Sequence, residues 1–193
     1  MLPWDQDLFV RINTWPDSLA PMFEFFSVGI KGLALKIILG VVAVALLAWP
    51  RTRLATILAL LSWPLANLIT DILKSSLPML RPSVDFPEAI VRVERLSSPG
   101  TASAHAANMM AVAFAFMIGL APLRKTTWPL RGIIAGWFVV AILTGLSRIY
   151  VGVHYPSQVL IGFIVGAVAA VIVAGIGRAI DGAIARRREA NRT

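Results

Sequence analysis

Apolar residues in this chain come in long unbroken blocks. They do not alternate as in a half-buried strand, nor form the single stripe of a surface helix. Five blocks stand out, at Gly32–Trp49, Leu54–Leu73, Ser103–Ala121, Gly132–Tyr150 and Pro156–Ile176. Each approaches the roughly 20 apolar residues with which a helix crosses a hydrocarbon core of about 30 Å. The pattern predicts five membrane-spanning helices, the second kinked at Pro64. Between the second and third, Pro82–Gly100 reads as a polar loop carrying Asp85, Glu88, Arg92, Glu94 and Arg95. The segment Trp4–Phe26 is different. It mixes Asp5, Asp7, Arg11, Asp17 and Glu24 with Trp4, Phe9, Trp15, Phe23, Phe25 and Phe26. Aromatic side chains among charges predict a helix lying at the membrane interface, with a short tilted sixth span as the alternative. The expected fold class is an all-α integral membrane protein: a bundle of five to six transmembrane helices with an interfacial N-terminal helix over 1–28, all in one domain over 1–193.

Composition sharpens this picture. The chain is 58% hydrophobic and 15% charged, with a mean hydropathy of +0.77; soluble domains are nearer 45–50% apolar by typical usage. There is no cysteine, which excludes disulfides, thiolate metal sites and cysteine nucleophiles. The net charge of +8 points to a membrane surface and not to nucleic acid, because the basic residues stand at the ends of apolar runs. The opening Met1-Leu2-Pro3-Trp4-Asp5-Gln6-Asp7 lacks the basic start of a signal peptide, so the internal helices are expected to drive insertion.

With five spans, one side of the membrane holds Arg51, Arg53, Arg124, Lys125, Arg131, Arg178, Arg186, Arg187, Arg188 and Arg192, against only Asp181 and Glu189. The positive-inside rule makes that side, including a basic tail over 178–193, cytoplasmic. The tail arginines are placed to meet anionic headgroups. Gly162 and Gly166, four residues apart in the last block, suit close helix packing within the bundle. Asn67 and Asn108 suit a hydrogen bond between helices, Met109 and Met110 suit packing, and Tyr150, Tyr155 and Trp128 read as residues of the interfacial aromatic belt.

The candidate chemistry lies on the opposite side. The second block ends at Lys74–Arg81, the third begins at Ser103–His105, the fourth ends at Ser147–Arg148, and the fifth begins just after His154. Alternating direction brings all four places to one membrane face. Ionisable groups at membrane depth are costly and mark function. Three cations without matching acids call for an anion, and the arginine fork suits phosphate. Ser103 and the N–H groups opening the third helix add donors at a helix N-terminus. Of the two histidines, one suits a nucleophile and the other a general acid. No carboxylate or thiolate cluster offers to hold a metal. The residues point to metal-independent phosphoryl transfer through a phosphohistidine, with no cofactor.

Three stretches then resemble a known family. Lys74-Ser75-Ser76-Leu77-Pro78-Met79-Leu80-Arg81-Pro82 fits K-x6-R-P. Ala102-Ser103-Ala104-His105 fits P-S-x-H apart from its first residue. The run from Ser147-Arg148 through His154 to Gln158 fits S-R-x5-H-x3-D except at the last position. In order and membrane face these are similar to the motifs of the type 2 phosphatidic acid phosphatases (PAP2), membrane lipid phosphatases related to vanadium haloperoxidases. The resemblance implies that His154 attacks phosphorus and His105 protonates the leaving oxygen. It implies that Lys74, Arg81 and Arg148 bind the phosphoryl oxygens, helped by Ser103 and the Ala104 N–H. It also implies a lipid phosphate or polyprenyl diphosphate substrate met on the extracytoplasmic face, undecaprenyl diphosphate being the first expectation.

Two positions depart from the family. Gln158 stands where a carboxylate normally accepts a hydrogen bond from the nucleophilic histidine. The amide carbonyl still accepts that bond but brings no negative charge, which predicts slower turnover or support of His154 by another group. Asp71, one turn before Lys74, is placed either to give that support or simply to pair with Lys74. Ala102 replaces a proline and is expected to loosen the entry to the third helix. A relative that binds lipid phosphate, or passes the phosphoryl group elsewhere without hydrolysis, is the alternative that Gln158 leaves open.

Overall fold

The computed structural model of the chain describes residues 3–29, 32–121 and 128–191, without the side chain of Ala34. Arg124, Lys125 and Arg192, on which part of the orientation argument rests, lie outside the described residues. Among those described, the chain is helical with no strand: α1 (Pro3–Asn13), α2 (Ala20–Ser27), α3 (Leu33–Ala48), α4 (Pro50–Ser76), α5 (Pro82–Asp85), α6 (Ala104–Leu120), α7 (Trp128–Tyr150) and α8 (Pro156–Ala190).

The five apolar blocks are α3, α4, α6, α7 and α8. Of these α4, α7 and α8 are long and apolar enough to cross a membrane, while α3 and α6 are shorter apolar helices. At about 1.5 Å per residue, the 17 residues of α6 fall short of a full crossing. The reason is visible before it. Gly100, Thr101, Ala102 and Ser103 are buried, so the loop enters the bundle and the helix starts inside it. Irregular backbone at that depth is tolerated where protein surrounds it. α4 begins four residues before its apolar block, with Pro50 in the first turn where a missing N–H costs nothing, and it continues through Pro64. α8 runs 14 residues past the predicted Ile176, so the described part of the basic tail continues the helix.

The leading segment is not a sixth span. α1 has 11 residues and α2 has 8, each far too short. A turn at Trp15–Pro16 and a single 3-10 turn at Asp17–Leu19 separate them. Both lie across the end of the bundle where α7 ends and α8 begins. Asn13 donates to the carbonyls of Ile90 and Tyr150, both at 2.9 Å, and Phe9, Phe23, Tyr150 and Tyr155 join one buried cluster. This corrects the reading of Tyr150 and Tyr155 as belt residues. They are 0% and 1% exposed, their rings covered by Phe23 and Phe9. Their hydroxyls bond Pro16 O at 3.1 Å and Asp85 at 3.3 Å. Trp128 is exposed as a belt residue would be.

Small residues hold the bundle's centre. A Cβ on Gly166 would collide with the Ala107 carbonyl, one on Gly162 with the Ser103 carbonyl, and one on Gly119 with the Ala55 backbone. The Gly162/Gly166 pair therefore packs within the chain, laying α8 directly on α6. Asn108 on α6 donates to Asn67 on α4 at 3.0 Å, tying those two helices as expected.

Candidate active site

The chain between α7 and α8 carries His154 on a tight turn. The Arg148 carbonyl accepts from the N–H groups of both Val153 and His154 at 3.2 Å. Gly152 takes φ +82°, and a Cβ there would also meet the Ile90 carbonyl. The turn thus needs glycine twice over, for its conformation and for the close approach of the 90–92 strand of loop. Arg92 N donates to Val151 O at 3.2 Å, and the Arg92 guanidinium lies 4.1 Å from the Tyr150 ring centre and 2.8 Å from Asp17. The loop holding the second histidine is fixed as firmly. Gly100 N donates to Met79 O at 2.8 Å, and Ser103 N to Gln158 O at 3.0 Å. Thr101 bridges Leu77 O and Met79 N. Ala102, in place of the family's proline, is fully buried within this loop. Ser103 caps α6, its hydroxyl accepting from Ala106 N at 3.4 Å.

At the centre, Arg81 Nη1 lies 2.8 Å from His154 Nε2, and His154 Nδ1 lies 3.1 Å from Gln158 Oε1. The amide's orientation is set by two backbone groups. Tyr155 N–H donates to Oε1 at 3.2 Å, and Nε2 donates to Leu80 O at 2.7 Å. The oxygen therefore faces His154, which must carry its proton on Nδ1, leaving Nε2 with a lone pair that accepts from Arg81. Burial first, then the positive charges of Arg81 and Arg148, push the His154 ring well below the usual histidine range, and the bond to Gln158 pulls the other way. The ring is neutral at pH 7.

Two buried arginines flank it. Arg81 and Arg148 are 4% and 3% exposed, and among the described residues neither has a carboxylate partner. Arg81 donates to the carbonyls of Val153, Ser98 and Pro99 at 2.7–3.1 Å. Arg148 Nη1 donates to the hydroxyl and carbonyl of Ser27 on α2, and among the described residues its Nε has no hydrogen-bond partner. Carbonyls orient a guanidinium without neutralising it. An unneutralised buried ion carries a penalty of roughly several kcal/mol, which an anion at the pair would offset.

The remaining expected residues are placed as follows. His105 stands in the first turn of α6, partly buried and near enough that its charge acts on His154. Ala104 opens the same turn, where N–H groups lack intrahelical acceptors. Lys74 is outside the tight cluster. It sits in the last turn of α4, 3.2 Å from Asp71, so Asp71 pairs with the lysine. Ser27, Gly100 and the Leu80 carbonyl were not foreseen. Pro99-Gly100 was readable as a turn; Ser27 and a backbone carbonyl carry no such signal.

The bundle also holds an apolar cavity of about 320 Å³, lined by none of these site residues. It runs between α2, α3, α4, α6 and α7, walled by Phe26, Leu39, Trp63, Met109, Phe116 and Trp137 among others. Phe26 adjoins the Ser27 that holds Arg148, and Met109 is one turn below His105.

Residues 54–180 match the family model of the PAP2 superfamily. Phosphatidylglycerophosphatase B of Bacillus subtilis (strain 168) is 34% identical over 108 residues, covering 56% of this chain and 51% of that protein; the chain thus spans about half the length of the curated relative it matches. Aquifex aeolicus LpxE has a similar structure, with a TM-score of 0.71 at 19% identity over 90% of this chain and 96% of that one. The first transmembrane PAP2-type phosphatidylglycerolphosphate phosphatase of Bacillus subtilis follows with 0.52 at 24% identity, over 93% and 80%. At those identities the structures speak for the fold.

Proposed function

The chain belongs to the PAP2 superfamily, and from that premise and the geometry of the site we propose that it is a metal-independent phosphatase of membrane lipid phosphates or diphosphates. The observation that carries the reading is the pair of buried arginines, neither with a carboxylate partner among the described residues, close to a buried histidine. The apolar cavity, linked to the cluster along the chain through Phe26 and Met109, suits a hydrocarbon tail. A phosphoryl oxygen arriving at the cluster accepts the hydrogen bond that Arg81 Nη1 now gives His154 and so uncovers the Nε2 lone pair. Nε2 then bonds to phosphorus while the bond to the leaving oxygen breaks, and His105 gives that oxygen a proton. Arg81, Arg148 and the N–H groups opening α6 hold the equatorial oxygens, where charge spreads in the transition state. Lys74 joins them by releasing Asp71, an exposed pairing worth less than about 1 kcal/mol. Water, losing a proton to His105, attacks phosphorus next; the P–N bond breaks and phosphate leaves.

Undecaprenyl diphosphate on the extracytoplasmic face is the first substrate to offer. The name of the Bacillus relative supports offering phosphatidylglycerol phosphate as well. Purified protein in detergent with EDTA is given each of these and phosphatidate. Phosphate release that disappears in His154→Ala is the expected result. Equal release by the variant, or loss of release on chelation, refutes the mechanism. Binding without hydrolysis is the alternative, because the Gln158 carbonyl fixes the His154 tautomer but brings no negative charge to the ring; phosphate release in this assay decides it.

A further inference from the structure

Gln158 occupies the place of the family's carboxylate, and its surroundings are fitted to an amide. Oε1 accepts from His154 Nδ1 at 3.1 Å and from Tyr155 N at 3.2 Å, while Nε2 donates to Leu80 O at 2.7 Å. Its own backbone carbonyl accepts from Ser103 N at 3.0 Å. The residue is 0% exposed. Over the amide lies Gly100, where a Cβ would stand 2.8 Å from Oε1, 3.0 Å from Nε2 and 2.7 Å from the Arg81 side chain.

A carboxylate cannot reproduce these contacts. Aspartate is one methylene shorter and does not reach from His154 to Leu80. Glutamate reaches, but it sets an acceptor oxygen against the Leu80 carbonyl where a donor stands now, at a buried position where unmatched polar groups are expensive. If it swings toward Arg81 instead, the link to Leu80 is lost. Leu80 immediately precedes Arg81, so the amide joins the loop of the attacking histidine to the loop of the phosphate-binding arginine.

We propose that Gln158 is a positioning residue acting through both ends of its amide, one fixing the His154 tautomer and the other holding the Arg81 loop at the Leu80 carbonyl, so that the family's carboxylate impairs this site. The proposal rests on the phosphatase reading above. It reverses the expectation that glutamine here merely slows the enzyme, and makes the amide part of how this chain sets the distance between nucleophile and phosphate.

The test is phosphate release by the full chain in detergent across pH, comparing wild type with Gln158→Glu, Gln158→Asp and Gln158→Met, together with their melting temperatures. The groups whose charge acts on His154 are Arg81, Arg148 and His105; all stay constant in this series. Gln158→Glu is expected to lose kcat by about tenfold or more, on the scale of one unmatched buried polar contact, and Gln158→Met and Gln158→Asp to lose at least as much. The acid limb of Gln158→Glu moves to higher pH than in wild type, because a carboxylate beside Nδ1 favours the charged ring. That movement reports an intact histidine end beside a failed Leu80 end, which a general loss of packing does not produce. A kcat at or above wild type in Gln158→Glu or Gln158→Asp overturns the proposal, as does an unmoved acid limb. Should wild type release no phosphate from any substrate, the phosphatase reading fails by itself. Melting then decides the amide's role: Gln158→Glu and Gln158→Met both melting below wild type support it, and unchanged melting overturns it.

Discussion

The seam between α6 and α8 and the side of the bundle where α3 stands are built on opposite plans. Along the seam, alanine and glycine bring backbones together until no Cβ fits at Gly162 or Gly166, and Ala106, Ala107, Ala111, Ala169 and Ala170 are fully buried. On the other side large side chains surround open space. Most of α3 is exposed, including Leu33, Ile37, Val41 and Val44, and the apolar cavity lies between it and the rest. The first arrangement fixes His105 and the turn of His154 relative to each other. The second leaves a place for something apolar to enter. The proposed function, which holds a phosphoryl group rigidly and admits a flexible tail, is served by keeping these tasks on different helix pairs.

That contrast can be broken at several points. The largest effect is expected from His154→Ala, held by the seam, which should lower phosphate release by about a thousandfold or more in a steady-state assay. Gly166→Val should come next. It overpacks the seam, costing about 1–3 kcal/mol, and should lower both melting temperature and kcat, whereas Gly40→Val on α3 and Gly136→Val on α7, with nothing near the added carbon, should leave melting unchanged. Equal sensitivity at all three glycines would dissolve the distinction. Ala43→Phe narrows the cavity from the α3 side. It should raise KM for a long-chain lipid phosphate by about three- to tenfold, on the scale of a few misplaced methylenes, and raise it less for a short-chain one. The smallest effect concerns pH. In the proposed mechanism His154 attacks as the neutral ring, and burial and the nearby arginines push its protonation below the usual range. Its nucleophilic form therefore persists as pH falls through about 6.5, the ordinary histidine value, and the acid limb of kcat/KM should lie below that point. A limb at or above it would mean that the two arginines are already neutralised in the working enzyme.

Much of this was legible in the sequence, and the exceptions have physical causes. The five apolar helices follow from hydrophobic blocks, because hydropathy alone decides which segments enter lipid. The end of α8 does not, since beyond Ile176 the chain leaves the apolar block and only helix propensity continues it. Tyr150 and Tyr155 looked like belt residues because amphipathic rings near span ends usually are; here α1 and α2 fold over them. In the site, the neighbourhood of His154, Arg81 and Arg148 was foreseen from alternating direction, and Gln158 from the family resemblance. The Ser27 partner of Arg148 was not, nor the grip of Gln158 on Leu80. Such partners are single small residues or backbone groups brought in by tertiary folding, and they leave no pattern along the chain.

The carboxylate of Asp5 accepts from both the N–H and the hydroxyl of Ser157, at 2.8 and 2.5 Å, across 152 positions of sequence. During synthesis α1 and α2 emerge well before the junction of α7 and α8 on which they dock. Asp5, Asn13 and Ser27 find their partners only after that junction has been made. The bond from Ser27 that orients the Arg148 guanidinium therefore closes only once α7 is complete.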